Sequence, residues 1–131
     1  LGSSAVNSLA APSEGRPLTP GERSMLAKSP ELKGIDLDAI RIHRGGIYTW
    51  WDDAVTLDNN VTFPGSGYSS DFSIQGDIKW FAHEVFHVYE YQTSSYHWTD
   101  AMVEQIRYRD PYSVQGTHER RADEFADRFR P

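Results

Sequence analysis

The stretch WFAHEVFHVYEYQ, Trp80–Gln92, constrains this chain more than any other. Two of the five histidines stand four residues apart, His83 and His87, with Glu84 beside the first, inside an otherwise apolar and aromatic run. Asp77 is a suitable cap, and the pattern predicts a helix from there to about Thr93. On a helix, positions four apart are separated by about 40° around the axis, so both imidazoles project side by side. Glu84 is turned by about 100° from His83. Burying two imidazoles and a carboxylate in such a run is costly unless other segments, or an ion, supply partners.

Composition narrows what those partners can be. The 131 residues suit one domain, and 38% hydrophobic with 13% aromatic content supports a folded core. The absence of cysteine excludes disulfides, thiolate ligands and a cysteine nucleophile, so any metal must be held by His, Asp or Glu. It fits a cytosolic protein or one exported by a route that needs no disulfides. A net charge of −6 without a basic stripe argues against nucleic acid, since Arg120 and Arg121 sit among acids. No apolar run is long enough to span a membrane, and no basic-then-apolar signal opens the chain. Leu1 is not a natural start, so a fragment or processed chain is expected, one that has lost a signal or carrier domain upstream.

Residues 1–18 are rich in Ser, Ala, Gly and Pro and read as a flexible linker or tag remnant, with the folded domain spanning 19–131. Thr19, Pro20 and Glu22 predict a capping box opening a short helix that ends before Pro30. The alternation of Ile40 and Ile42 with Arg41 and His43 predicts a strand over 39–45, with His43 on the surface. IYTWW continues an extended pattern, AVTLDNNVTFP a hairpin turning at Asn59-Asn60, and 64–76 a Gly/Ser-rich loop. A further helix is expected after Thr99 or Asp100, ending before Pro111. A last one starts near Thr117, with Ala122, Phe125, Ala126 and Phe129 as its apolar stripe. Strands early and helices late give an α+β fold.

His83 and His87 offer the bite that a tetrahedral zinc ion needs, while Glu84 is placed to reach a water at the ion and move its proton. This is the HExxH arrangement, which a chain of this composition would produce by chance about 0.01 times. The third ligand comes from Glu90, His97, His118, Glu119, Asp123 or Glu124. Glu90 would have to reach back along its own helix, which favours a supporting role. Glu119 sits early on a separate helix, with Asp123 four residues on and on the same face. One of that pair can bind the ion and the other hold a histidine's far N–H. Arg120, Arg121, Asp127 and Arg128 read as a solvated, ion-paired face.

His83-Glu84-x-x-His87 followed by Glu119-x-x-Ala122-Asp123 resembles the gluzincin zinc metallopeptidases. LTPGERSML, IDLDAIRIH, VTFP, DFS and FAHEVFHVYEYQ together resemble the metallopeptidase-like domains of bacterial polymorphic toxins, including the DUF4157 type and Vgr-related proteins of type VI secretion. The resemblance implies a minimal zincin-like fold, a small antiparallel or mixed sheet packed on an active-site helix with further C-terminal helices. It implies one Zn2+ per chain on His83, His87 and Glu119, Glu84 as catalytic base and acid, and Asp123 in support of the first histidine. It also implies an extended peptide substrate along an edge strand, for which Val61–Phe63 is the expected strand. Tyr112, Tyr108 and His97, with Tyr96, are the candidate oxyanion stabilisers. The implied activity is hydrolysis of peptide bonds, in protein or peptidoglycan peptides, by an effector made in the cytoplasm and delivered into a target cell. An immunity protein is the expected partner. The alternatives are a catalytically inactive structural or adaptor domain, whose metal would be closed by four protein ligands, and a metal-free interaction module.

Overall fold

The computed structural model describes residues 15–45, 54–94 and 117–131. The IYTWW segment, the helix expected after Thr99, and Tyr96, His97, Tyr108 and Tyr112 lie outside the described residues. Helix α1 spans Pro20–Ala27, strand β1 Arg41–Arg44, β2 Val55–Leu57, β3 Asn60–Phe63, helix α2 Ile78–Thr93 and α3 His118–Arg128. Short 3-10 turns at Pro30–Leu32 and Leu37–Ala39 link α1 to the sheet. The fold is α+β.

Each helix begins where its local chemistry directs. Thr19 accepts from Glu22 N at 3.1 Å, and Glu22 Oε1 accepts from Thr19 N at 2.9 Å, which closes the capping box of α1. Asp77 caps α2 through Trp80 N at 3.0 Å, and Thr117 caps α3 through Arg120 N at 3.2 Å. Each such cap stabilises its helix by about 1 kcal/mol.

The sheet has the order β1-β3-β2, with β1 parallel and β2 antiparallel to β3. This corrects the expectation that Val61–Phe63 lies at an edge. Those residues form the central strand, and Val61 and Phe63 are fully buried. Among the described residues the outer strands are β1 and β2, and Arg16 bridges to Ile42 on the far side of β1. The hairpin turns one residue earlier than the sequence implied: Leu57 pairs with Asn60, and Asp58 carries the left-handed φ of 55°.

Order also begins before Thr19. Arg16 exchanges two backbone hydrogen bonds with Ile42, both 2.8 Å, and Leu18 is buried, so 15–18 belong to the fold rather than to a linker. His43 is not a surface residue. It is buried, its Nε2 lies 3.0 Å from Asn60 Oδ1, and the backbone of Gly15 covers its ring so closely that a Cβ there would lie 2.5 Å from Cε1. Alternation separates His43 from Ile42, but the returning N-terminal segment packs against its ring and buries it.

The core joins sheet, α2 and α3. Phe72 lies between Phe63 and Phe81, at 4.8 Å from each, and Phe86 of α2 stacks on Phe125 of α3 at 5.1 Å. Ala122, Phe125, Ala126 and Phe129 are buried as the stripe requires. Among the described residues, no helix is long and apolar enough to cross a membrane.

Candidate metal centre

Helix α2 carries two inward faces. Phe81, Ala82, Val85 and Val88 are fully buried in the apolar core. His83, His87 and Glu90 form a ridge at i, i+4 and i+7 that meets the first turns of α3, while Glu84 turns toward β2. All four of these ionisable residues are buried.

The two imidazoles aim their Nε2 atoms at one locus, 3.3 Å apart. Glu119 enters from α3, with Oε1 at 2.7 Å from His87 Nε2 and Oε2 at 3.4 Å from His83 Nε2. One ligand atom from each of the three residues lies within 4.8 Å of the others. A tetrahedral ion with bonds near 2.0–2.1 Å separates its ligands by about 3.3 Å. Two nitrogens and a carboxylate at these spacings fit zinc. The far nitrogens are also held: His83 Nδ1 lies 2.9 Å from Asp123 Oδ1, and His87 Nδ1 lies 3.2 Å from Glu90 Oε1. Carboxylates behind both rings favour Nδ1–H and leave each Nε2 lone pair facing the locus.

The electrostatics of the cluster favour positive charge at the rings. Burial works against charging His87, but Glu119 and Glu90 overcome it and hold its pKa up at about 10. His83 is shifted in the same direction: burial opposes charging there too, and Glu119 and Glu84 prevail. Burial opposes ionisation of Glu90, yet His118 and His87 pull its pKa down to about 2. A divalent ion can take the place of the protons that these carboxylates otherwise hold on the rings.

Of the proposed third ligands, Glu119 reaches the locus and Asp123 stands behind His83. Glu124 instead pairs with Arg120 at 3.3 Å. His118, four residues before Ala122, lies with Nδ1 2.8 Å from Glu90 Oε2, so it supports the carboxylate behind His87. Arg121 joins that cluster at 3.2 Å from the same oxygen, rather than lying on a purely solvated face. Asp127 and Arg128 do form exposed pairs, with Lys79 and Glu31, while the Arg120–Glu124 pair is half-buried. One participant had no signal in the sequence: Thr56 on β2, whose hydroxyl donates to Glu84 Oε1 at 2.7 Å. A threonine in a short strand is ordinary, and nothing local links it to a helix 28 positions on.

Among solved structures, the chain is similar to the effector domain of Pseudomonas aeruginosa VgrG2b, with a TM-score of 0.69 and 22% sequence identity. The match covers 98% of this chain and 82% of that one. At that identity the likeness establishes a shared fold. No family model matches the sequence, and no curated protein matches it.

Proposed function

We propose that this domain is a zinc-dependent hydrolase of peptide bonds that works as a delivered bacterial effector. The observation that carries the reading is the convergence of His83 Nε2, His87 Nε2 and the Glu119 carboxylate, with Glu84 Oε2 only 3.9 Å from His83 Nε2. His83, His87 and Glu119 hold the ion, while Asp123 and Glu90 fix the orientation of the two rings. Zinc bound there supplies a Lewis acid that makes water a nucleophile near neutral pH and polarises a peptide carbonyl. Glu84 takes a proton from the attacking water and delivers it to the leaving amine nitrogen, which returns the carboxylate to its ionised form. Delivery by a type VI secretion system draws support from the fold shared with an effector domain and from the Vgr-related sequence resemblance. Substrates are then proteins of the target cell or peptidoglycan peptides, and the producing cell needs an immunity protein that covers the centre.

The test pairs metal analysis with degradation assays on proteins and cell-wall peptides. One zinc per chain is expected, and a chelator abolishes turnover. Glu84→Gln keeps the zinc and loses about 10²–10⁴ in kcat. Full activity in Glu84→Gln would refute the mechanism. Full zinc content with no turnover on either substrate class would favour a structural domain.

A further inference from the structure

Thr56 sits at the middle of β2, opposite Val61 of the central strand. Its hydroxyl lies 2.7 Å from Glu84 Oε1 and 3.4 Å from the Glu84 backbone oxygen. Its backbone carbonyl accepts from Tyr91 Oη at 3.2 Å. Tyr91 and Glu84 are seven positions apart on one face of α2, so the helix holds this residue through both main chain and side chain. A threonine hydroxyl has a single proton, and the short contact to a carboxylate outcompetes the longer one to a carbonyl. Oε1 is therefore engaged by the strand, and Oε2 is the oxygen turned toward His83 Nε2, at 3.9 Å.

We propose that Thr56 is the positioning residue for Glu84: its hydroxyl fixes which carboxylate oxygen handles the proton and stays bonded while that proton comes and goes. The inference rests on the reading of Glu84 as general base. The physical reason is that a hydroxyl is both donor and acceptor and rotates freely. It donates to Oε1 when Glu84 is ionised and continues to donate there when Oε2 carries the proton taken from water. Oε2 then releases that proton to the amine nitrogen, and Thr56 itself exchanges nothing. Valine has the same branching and volume but no hydrogen bond to offer, so the Glu84 side chain regains its terminal rotation.

Thr56→Val and Thr56→Ser provide the test, with crystal structures of both zinc-loaded variants beside kinetics. In Thr56→Val the Glu84 carboxylate leaves its place beside His83, or occupies more than one rotamer, while in Thr56→Ser it remains. Zinc content stays at one per chain in both. Thr56→Val lowers kcat about tenfold to a hundredfold, the range for losing one hydrogen bond to a charged group, with KM within about twofold. Thr56→Ser recovers most of that loss, which a purely structural role for the methyl group would not give. An unmoved Glu84 in Thr56→Val, or kcat equal to wild type, overturns the proposal. Inactivity of the wild type on every peptide, with Glu84 still displaced in Thr56→Val, would refute the peptidase reading and leave the positioning role standing.

Discussion

Two buried ionic networks in this domain are built on opposite principles. In the first, Arg16 meets Glu22 through two parallel bonds, Nη1 to Oε1 at 2.8 Å and Nη2 to Oε2 at 2.9 Å. Glu22 is wholly buried, and the backbone N–H groups of Thr19 and Phe72 donate to its two oxygens. Arg16 spends its remaining donors on Tyr68 Oη and on the Ser69 and Pro17 carbonyls. Charges cancel and donors match acceptors, so this network is closed. The second network gathers Glu84, Glu90, Glu119 and Asp123 around two imidazoles whose Nε2 atoms face each other at 3.3 Å. Its balance depends on cations that come and go, either protons or a metal. The first holds the N-terminal segment in place, whereas the second leaves an excess of carboxylates that a cation could offset.

Breaking the closed network should have the largest effect. Arg16→Met leaves the Glu22 carboxylate buried without its counter-ion, and unfolding in urea should show a loss of about 3–5 kcal/mol. The midpoint increase caused by saturating zinc should be the same as in wild type, because the two networks share no residue. A cost below about 1 kcal/mol would mean that water reaches Glu22 and that the clasp is not closed. The next effect belongs to the open network. Asp123→Ala and Glu90→Gln should each weaken zinc binding about tenfold to a hundredfold, measured by chelator competition, by loosening one ligand ring. Arg16→Met should leave that affinity unchanged. Unaltered affinity in both ring-supporting variants would show that neither carboxylate orients a ligand.

The contrast also explains what the sequence disclosed. Helix starts were legible because a cap acts within three residues: Thr19, Asp77 and Thr117 each bond a backbone N–H inside their own first turn. The pairing of His83 with His87 was legible because one turn of helix forces it. The convergence of Glu119 and Asp123 on that turn was legible only through their shared face and the gluzincin pattern. Contacts decided by distant chain segments were not. Arg16 lay in a stretch whose composition resembles a linker, yet it bonds Ser69, 53 positions away. The parallel pairing of β1 with β3 moved Val61–Phe63 from edge to centre, and alternation alone carries no information on strand order. His43 was misjudged because the segment covering it is the one read as unstructured. The local pattern specified which side chains share a face, and long-range packing specified what each face meets.

A dependence on pH separates the networks by slope. In the metal-free protein the pKa of His87 stands at about 10 against an unperturbed 6.5. Its imidazolium–carboxylate contacts therefore contribute fully below pH 6.5, and that contribution is lost as pH rises through about 10. One such group changes stability by at most about 1.4 kcal/mol per pH unit within that window. On the acid side Glu90, lowered from 4.5 to about 2, contributes fully above 4.5 and loses that contribution as pH falls through 2. Metal-free stability should accordingly peak between these windows and decline from pH 6.5 to 9.5 in calorimetric scans. Zinc-loaded protein should show no such decline, since a liganded imidazole is already neutral and metal binding competes with protons. The Arg16 guanidinium keeps its charge over the whole range, so between pH 6.5 and 9.5 Arg16→Met should lower both curves and leave the contrast between metal-free and zinc-loaded protein in place. A metal-free protein that grew more stable from pH 6.5 to 9.5 would mean that His87 is neutral when no ion is bound. The open network would then lack the exchangeable charge that distinguishes it from the closed one.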